Sequence, residues 1–365
     1  MNHEKKDYDK QAKKILEGVD RIAWGVTACL CFPGSAKAVM HYLGEDITDD
    51  YAMGISGGAF SMYWGVPWSP ANSDLLIIGE EPVRRTFDAL GYTHILIPKW
   101  NQEDPTQMKE LFRKTIVDSI NREHPVIAKG VVGPPECCVI TGYDKHGDVL
   151  HGWSYYQGVS AYYQGNTECY FTKDKWYENC YGLIVIGQKK PKPPLRQTLQ
   201  NTLEWAIRLA RTPEFLLFPE GNPERFTSGL AAYDAMAEAL LRDEDFPAGN
   251  LDVLTSRCVP ISNDGIPLTS EKRKSATRFL NDIANKGFPG ADQLRKAAKA
   301  YEQETQILDR TATMAPYTYA PEEERLKLAD PKRRRQISRL VLQAKLHEET
   351  AVRHLETALE ELVKN

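Results

Sequence analysis

The pattern of apolar and polar positions changes character near residue 190. Before this point, short aromatic and β-branched runs are broken by Gly and Pro, whereas long amphipathic stretches rich in Ala, Leu, Glu, Lys and Arg follow it. The junction 188–194 combines lysines with prolines, which is typical of an exposed and stiff linker. The pattern therefore predicts an α+β domain over residues 1–190 and an all-α helical bundle domain over residues 191–365.

The first domain mixes segments of helical period with segments that favour strands. Helices are predicted at Asp9–Leu16, directly after Cys31, at Glu81–Leu90 and at Gln107–Asn121. Strands are predicted behind a glycine turn within 54–64, and at Pro125–Lys129, Cys137–Tyr143, Asp148–Tyr156 and Gly182–Gly187. The last strand is a continuous apolar run, as expected for a strand covered on both faces.

The second domain contains only helical patterns. They predict helices at Leu195–Ala210, Ser228–Arg242, Ser270–Asn285, Ala291–Leu308 and Pro331–Val363. Four consecutive cations, residues 332–335, lie near the start of the last helix, where the helix dipole disfavours positive charge. They indicate either an anionic partner, such as a carrier protein, or a solvated surface cluster. The helices could also cap a cleft or form a homodimer interface.

Composition excludes several classes of function. The net charge is -4 and no run of about 18 apolar residues occurs, so neither nucleic acid nor a membrane is an expected partner. The charged N-terminus lacks the apolar core of a signal peptide. Seven cysteines without a framework spacing indicate reduced thiols and a cytoplasmic location. No CxxC pair is present, and no metal or cofactor is expected.

Cys31 is the main candidate for chemistry. It directly precedes an amphipathic run that begins Phe32-Pro33-Gly34, and Pro33 fits the first turn of a helix. Exposed N–H groups and the dipole at a helix N-terminus favour a thiolate over a thiol. Cys31 is therefore either an activated nucleophile or a buried structural cysteine, which is a common role for this residue type.

The order of motifs resembles one family. A Cys-led helix ending in Tyr42-Leu43-Gly44, then Gly-x-Ser-Gly-Gly-x-Phe at 54–60, then Val-Ile-Thr-Gly-Tyr-Asp at 139–144, is similar to the N-terminal domain of the butirosin-biosynthesis acyltransferase family. The resemblance covers roughly residues 20–187. It implies a bacterial protein with a papain-like cysteine protease fold, of the branch that includes bacteriocin-processing peptidases. It also implies transfer of an acyl group from a carrier protein to a small molecule.

The expected catalytic partners are absent at the matching positions. The resemblance implies a histidine base where Glu136 stands, an orienting carboxylate or amide near Trp153, and an oxyanion-hole glutamine at Gly25. A papain-like site needs a base beside the thiol and a group that orients the base. A standard peptidase is therefore not expected.

Two rearranged sites remain possible from the sequence. Residues 149, 151 and 153 share one face of a strand, so His151 could reach Cys31 from the neighbouring strand with Glu136 orienting it. The predicted catalytic set is then Cys31, Glu136 and His151. Alternatively, Cys138 shares a face of its strand with Glu136. A plausible set of metal ligands is then Cys31, Glu136, Cys138 and His151.

Aromatic residues predict a ligand cleft around these groups. Aromatic rings provide rigid contact area for a ligand, although they also fill cores. The predicted substrate-binding residues are Trp64, Trp153, Tyr155 and Cys138.

Three functions are consistent with the sequence. The first is a non-peptidase enzyme that performs acyl transfer or amide or thioester chemistry through Cys31, on a small metabolite or a carrier-bound acyl group. The second is a pseudoenzyme that binds a small molecule or peptide in the former cleft. The third is a scaffold whose helical domain recruits another protein. The retained cysteine favours the first function, and the missing partners favour the second.

Overall fold

The computed structural model describes residues 12–65, 68–70, 72–99, 104–217 and 224–364. The protein has a mixed α+β structure with an antiparallel sheet of seven strands, which confirms the α+β class. The chain forms two compact units. The first comprises the described parts of Met1–Ala52 and Thr86–Lys192, and the second those of Met53–Arg85 and Pro193–Asn365.

The first unit is built around the seven-stranded sheet. Its strands are β1 (Lys14–Ile15), β3 (Tyr92–Pro98), β4 (Val126–Gly130), β5 (Cys137–Asp144), β6 (Val149–Trp153), β7 (Phe171–Lys173) and β8 (Cys180–Lys189). Its helices are α1 (Cys31–Tyr42), α2 (Asp49–Ser56), α3 (Glu81–Leu90) and α4 (Pro105–Asn121), of which α2 and α3 cross the divisions between the units.

The strand order of this sheet is β3-β8-β4-β5-β6-β7, and β1 pairs with the far end of β5. Val139 on β5 lies opposite Trp153 on β6, but a register shift between Ile140 and Gly142 leaves Thr141 as an extra residue. Such a bulge twists the strand and changes which side chains meet beyond it. It therefore shifts by one residue the pairing of Gly152 and Trp153 relative to that of His151.

Helix α1 packs on the centre of this sheet. It contacts β5 and β4, and its small and apolar residues Ala36, Val39 and Met40 are fully buried. These residues recur at helical spacing, which is why the sequence pattern identified the helix. Burial of this face fixes the N-terminus of α1, and with it Cys31, against the first unit.

The second unit contains the predicted helices together with a small sheet. Its helices are α5 (Leu195–Arg211), α6 (Gly229–Ala239), α7 (Leu251–Cys258), α8 (Ile266–Ala284), α9 (Ala291–Ala312), α10 (Glu322–Leu326) and α11 (Pro331–Lys364). Its strands are β2 (Tyr63–Gly65), β9 (Glu214–Leu217) and β10 (Glu224–Ser228), in the order β2-β10-β9. The prediction of an all-α second domain is therefore wrong.

Residues 53–85 explain why one cut at residue 190 does not divide the chain correctly. β2 pairs with β10, with Tyr63 opposite Ser228, and Gly54 lies so close to Phe279 that a Cβ would meet its ring at 2.4 Å. These pairings are distant in sequence. A change in composition along the chain marks the boundary near residue 192 but cannot reveal that an earlier segment joins the later unit.

Two further predictions require correction. Residues 9–11 of the predicted helix Asp9–Leu16 lie outside the described part of the chain, and the described remainder contains β1 instead of a helix. The predicted strand Asp148–Tyr156 is shorter in the structure, since β6 ends at Trp153 and a 3-10 turn covers Tyr155–Gly158. Within the described residues, no helix combines the length and the apolar character needed to cross a membrane.

Candidate active site

Cys31 is the first residue of α1. Leu30 precedes the helix in an extended conformation, and Pro33 occupies the first turn as the sequence predicts. The Cys31 side chain is buried, with 4% of the residue exposed. The helix N-terminus therefore points its first N–H groups to the region of the thiol, in a setting that largely excludes water.

Glu136 is brought to Cys31 by the loop between β4 and β5. The Gly130 N–H donates to the Glu136 carbonyl oxygen at 2.8 Å, which closes the loop at its base. Val131 has a φ of 66°, which is unusual for a β-branched residue, and Gly130 and Gly133 also have positive φ. The Ser154 hydroxyl donates to the Val132 carbonyl oxygen at 2.7 Å and anchors the loop to the end of β6. This strained backbone positions the Glu136 carboxylate.

Cys31, Glu136 and Tyr156 form a connected hydrogen-bond chain. The Cys31 thiol donates to Oε2 of Glu136, with 2.7 Å between sulfur and oxygen. The Tyr156 hydroxyl donates to Oε1 of the same carboxylate at 2.8 Å. One carboxylate thus accepts from a thiol and a phenol, and each oxygen has a separate partner.

Tyr155 supports the start of α1. Its hydroxyl lies 2.7 Å from the Ala28 carbonyl oxygen, to which it donates, and 2.8 Å from the Thr27 hydroxyl. It also fills the space above Gly34, where a Cβ would lie 1.9 Å from the Tyr155 oxygen. Burial first, and the nearby Cys31 second, raise the pKa of Tyr155 well above its usual value. Tyr155 therefore acts as a neutral hydroxyl that fixes the chain before Cys31.

His151 does not lie opposite Glu136. It pairs with Gly142, whereas the residues that follow β6 reach the level of Glu136. Glu136 and Gly142 are six residue steps apart along the chain, or roughly 20 Å at about 3.3 Å per step. The His151 Nδ1 lies 3.1 Å from the Thr172 hydroxyl, and burial lowers its pKa. The predicted meeting of Glu136 and His151 across the strand pair is therefore wrong.

The predicted substrate-binding residues have different environments. Trp153 is buried, donates from Nε1 to the Val19 carbonyl oxygen at 3.0 Å, and packs edge-on against Tyr170. Cys138 is buried, donates to the Gly130 carbonyl oxygen at 3.2 Å, and has a pKa raised by burial. Trp64 is buried in the hydrophobic core of the second unit. Of this group, Tyr155 is the residue that the hydrogen bonds connect to the backbone next to Cys31.

Tyr156 and Trp24 contribute to the site although neither was among the predicted site residues. The Trp24 ring meets Tyr156 edge-on at 4.7 Å and Tyr155 at 5.7 Å between centroids, and 47% of Trp24 is exposed. Tyr162 meets Tyr156 at 5.4 Å. A correct strand register would have identified Tyr156, since it follows β6 at the level of Glu136. No sequence signal marked Trp24.

No metal site is evident among the described residues. No cluster of three or more His, Cys, Asp and Glu side chains able to hold an ion occurs in those ranges. The four metal ligands suggested by the sequence are also not brought together. His151 pairs with Gly142, and the Cys138 thiol donates to the Gly130 carbonyl oxygen. The chemistry that this arrangement offers is that of a thiol next to a carboxylate. Comparison of the chain with known family models and with curated proteins finds no match.

Proposed function

We propose that the first unit is a papain-like, non-peptidase domain that catalyses acyl transfer through Cys31. The observation that carries the proposal is the 2.7 Å contact between the Cys31 sulfur, at the start of α1, and the Glu136 carboxylate. A nucleophile within hydrogen-bond reach of a proton acceptor, itself held by a third group, is the arrangement that covalent catalysis requires. Tyr156 is the third group here.

A thioester is the acyl donor that suits this pair. In the first half-reaction the Cys31 thiol gives its proton to Glu136, and its sulfur attacks the acyl carbon. The donor's C–S bond breaks, and the leaving thiolate takes the proton back from Glu136. In the second, an amine or hydroxyl of the acceptor attacks the Cys31 thioester and gives its proton to Glu136. The C–S bond to Cys31 breaks, and the Cys31 sulfur takes this proton back from Glu136. Leaving and attacking thiols have similar pKa values, so this exchange does not need the histidine acid that expulsion of an amine uses.

The substrate would be a small metabolite or a carrier-bound acyl group, which is the class that the resemblance to the butirosin-biosynthesis acyltransferase family implies. The same resemblance implies the histidine base of papain-like peptidases at the position of Glu136, which argues against a general peptidase. The half-exposed Trp24 ring beside Tyr156 provides apolar contact area for such a substrate.

A binding function without catalysis is the second candidate. Two observations favour it: Cys31 is almost fully buried, and an ionised carboxylate next to a thiol opposes the thiolate that attack requires. In that case the region around Cys31, Glu136 and Tyr156 would hold a small molecule or a peptide without turnover.

The decisive experiment measures a covalent acyl-enzyme. The full chain is incubated with an acyl thioester of N-acetylcysteamine at neutral pH, followed by intact-mass measurement and peptide mapping. We expect one acyl group on Cys31, lost in Cys31→Ala and retained in Cys169→Ala, since Cys169 is the exposed thiol that controls for spontaneous exchange. Acylation at Cys169 alone, or none at all, would contradict the enzyme proposal and favour the binding function.

A further inference from the structure

We propose that Tyr156 is a positioning residue that sets how strongly Glu136 holds the Cys31 proton. The inference rests on the proposed function for its catalytic meaning, but the geometry and the test concern the proton alone. Tyr156 acts through the far oxygen of the Glu136 carboxylate.

The two oxygens of Glu136 have different tasks. Oε1 accepts from the Tyr156 hydroxyl at 2.8 Å, and Oε2 accepts from the Cys31 thiol at 2.7 Å. A hydrogen bond to a carboxylate stabilises its charged form and disperses the charge that its other oxygen presents. The Tyr156 hydroxyl therefore weakens the hold of Oε2 on the thiol proton. It also fixes the carboxylate so that Oε2 faces the sulfur.

Close contacts hold the Tyr156 ring in this orientation. A Cβ on Gly133 would lie 2.6 Å from the ring, so only glycine leaves room for it at this point of the loop. The Trp24 ring packs edge-on against Tyr156 at 4.7 Å. The Tyr156 N–H donates to the Ser154 hydroxyl, which in turn donates to the loop that carries Glu136. The same short network thus holds both the phenol and the carboxylate.

Titratable groups near the pair lie both before α1 and at the start of α2. Cys29 and Asp49, like Cys31, act on Tyr155, and Asp49 accepts from the Ala28 N–H at 2.8 Å. These groups are unchanged in variants of Tyr156 and Glu136. Their effect on Cys31 therefore cancels when the variants are compared with the wild type.

Removal of the two groups shifts the ionisation of Cys31 in opposite directions. Without the Tyr156 hydroxyl, Glu136 binds the thiol proton more strongly, and Cys31 ionises at higher pH. In Glu136→Gln the neighbouring negative charge is gone, and Cys31 ionises at lower pH. A Tyr156 that only supported packing would behave differently. Its loss would loosen the site, and both variants would approach the same unperturbed thiol value of about 8.5.

The test is the pH profile of iodoacetamide alkylation at Cys31, followed by peptide mapping in the full-length protein. We expect the midpoint to rise by roughly half to one pH unit in Tyr156→Phe and to fall by at least as much in Glu136→Gln. Tyr162→Phe, which removes a hydroxyl from the neighbouring ring, should leave the midpoint unchanged.

A fall or no change in Tyr156→Phe overturns the proposal. So does a shift in Tyr162→Phe as large as that in Tyr156→Phe, or a Cys31 that stays unlabelled at every pH. Alkylation requires no acyl substrate. A protein that shows the opposite shifts but forms no acyl-enzyme would therefore retain this role for Tyr156 and lose the proposed function.

Discussion

Sγ of Cys31 lies 2.7 Å from Oε2 of Glu136, so a thiol and a carboxylate share one proton. A thiol is a weaker acid than a carboxyl group, so transfer of this proton to the carboxylate costs free energy. The helix N-terminus lowers this cost, and the Tyr156 hydroxyl on the far oxygen raises it. Reactivity at Cys31 depends on this balance.

Glu136→Gln should separate the two half-reactions of the proposed transfer. The amide cannot accept a proton from water or from an acceptor, and general base catalysis contributes typically 10²–10⁴-fold. We therefore expect an acyl group on Cys31 to persist at least about tenfold longer in this variant. Intact-mass measurements over time after removal of the thioester give the lifetime. An equal lifetime in wild type and variant would show that Glu136 is not the base.

His151→Ala should leave Cys31 reactivity unchanged. His151 pairs with Gly142 and its ring bonds to the Thr172 hydroxyl, so it does not bond to the Cys31 thiol. Burial and the charge of Lys13 lower its pKa. We expect the Cys31 alkylation rate at neutral pH to stay within about twofold of wild type, as for a distant substitution. A marked fall of the Cys31 alkylation rate in His151→Ala would restore the rearranged triad.

The start of α1 was predictable because its evidence is local. Helical spacing after Cys31 and a proline in the first turn suffice to place the thiol at a helix N-terminus, and the structure has it there. Glu136 was also found, because it follows from the match to one strand motif. These features depend on residues within about ten positions of one another.

The partner of Glu136 was not predictable because it depends on strand register. The extra residue Thr141 shifts the pairing of β6 by one residue, which places Tyr156 instead of Gln157 at the level of the Glu136 carboxylate. His151 lies near Gly142 in either register. A one-residue bulge leaves no clear signal in the alternation of a buried strand such as β5. The return of residues 53–85 to the second unit was hidden for a similar reason, since β2 pairs with a strand more than 150 residues later.

Gly34→Ala should destabilise the first unit although alanine normally favours helices. The added Cβ would lie 1.9 Å from the Tyr155 oxygen, which must move and lose its bonds to Ala28 and Thr27. Overpacking of this kind costs about 1–3 kcal/mol. Urea unfolding measures the loss. Gly158→Ala is the control, because no atom lies within 4 Å of its added Cβ. Equal stability of the two variants would contradict the packing of Tyr155 on α1.

Arg334→Ala should destabilise the second unit, while Arg335→Ala should not. Arg334 is buried and donates to the carbonyl oxygens of Leu328 and Leu240 and to Asp243, whereas Arg335 is exposed. Removal of the Arg334 side chain leaves these buried carbonyl oxygens unpaired, which lowers the free energy of unfolding by about 1–3 kcal/mol for each oxygen. Thermal unfolding provides the measurement. The four cations at the start of α11 are thus not a uniform surface cluster. A large effect of Arg335→Ala and none of Arg334→Ala would contradict this assignment.

The buried pair of Glu304 and Glu348 should make the second unit less stable at high pH. Arg273 Nε donates to Glu348 Oε2 and Tyr233 donates to Glu304 Oε1, each at 2.5 Å. Glu304 Oε2 and Glu348 Oε1 are buried without a donor, so one proton shared by the carboxyl groups would satisfy both oxygens. It would also leave one negative charge to balance Arg273.

Burial first, and the negative charge of Glu348 second, raise the pKa of Glu304 well above its usual value. The folded unit therefore holds a proton that the unfolded chain releases above about pH 4.3. Because the folded state binds more protons, the free energy of unfolding falls as pH rises from that value through the folded pKa. Glu304→Gln keeps a neutral side chain of the same shape at every pH. This variant should therefore lose less of its free energy of unfolding than the wild type as pH rises.

Urea unfolding between about pH 5 and 9 tests the prediction, with Glu302→Gln as the matched control on the exposed face of α9. We expect wild type and Glu302→Gln to lose stability in parallel as pH rises, and Glu304→Gln to lose less. If the Glu304→Gln curve runs parallel to that of wild type, the proton is not bound between these two carboxyl groups. The two buried negative charges would then have to be balanced by Arg273 alone.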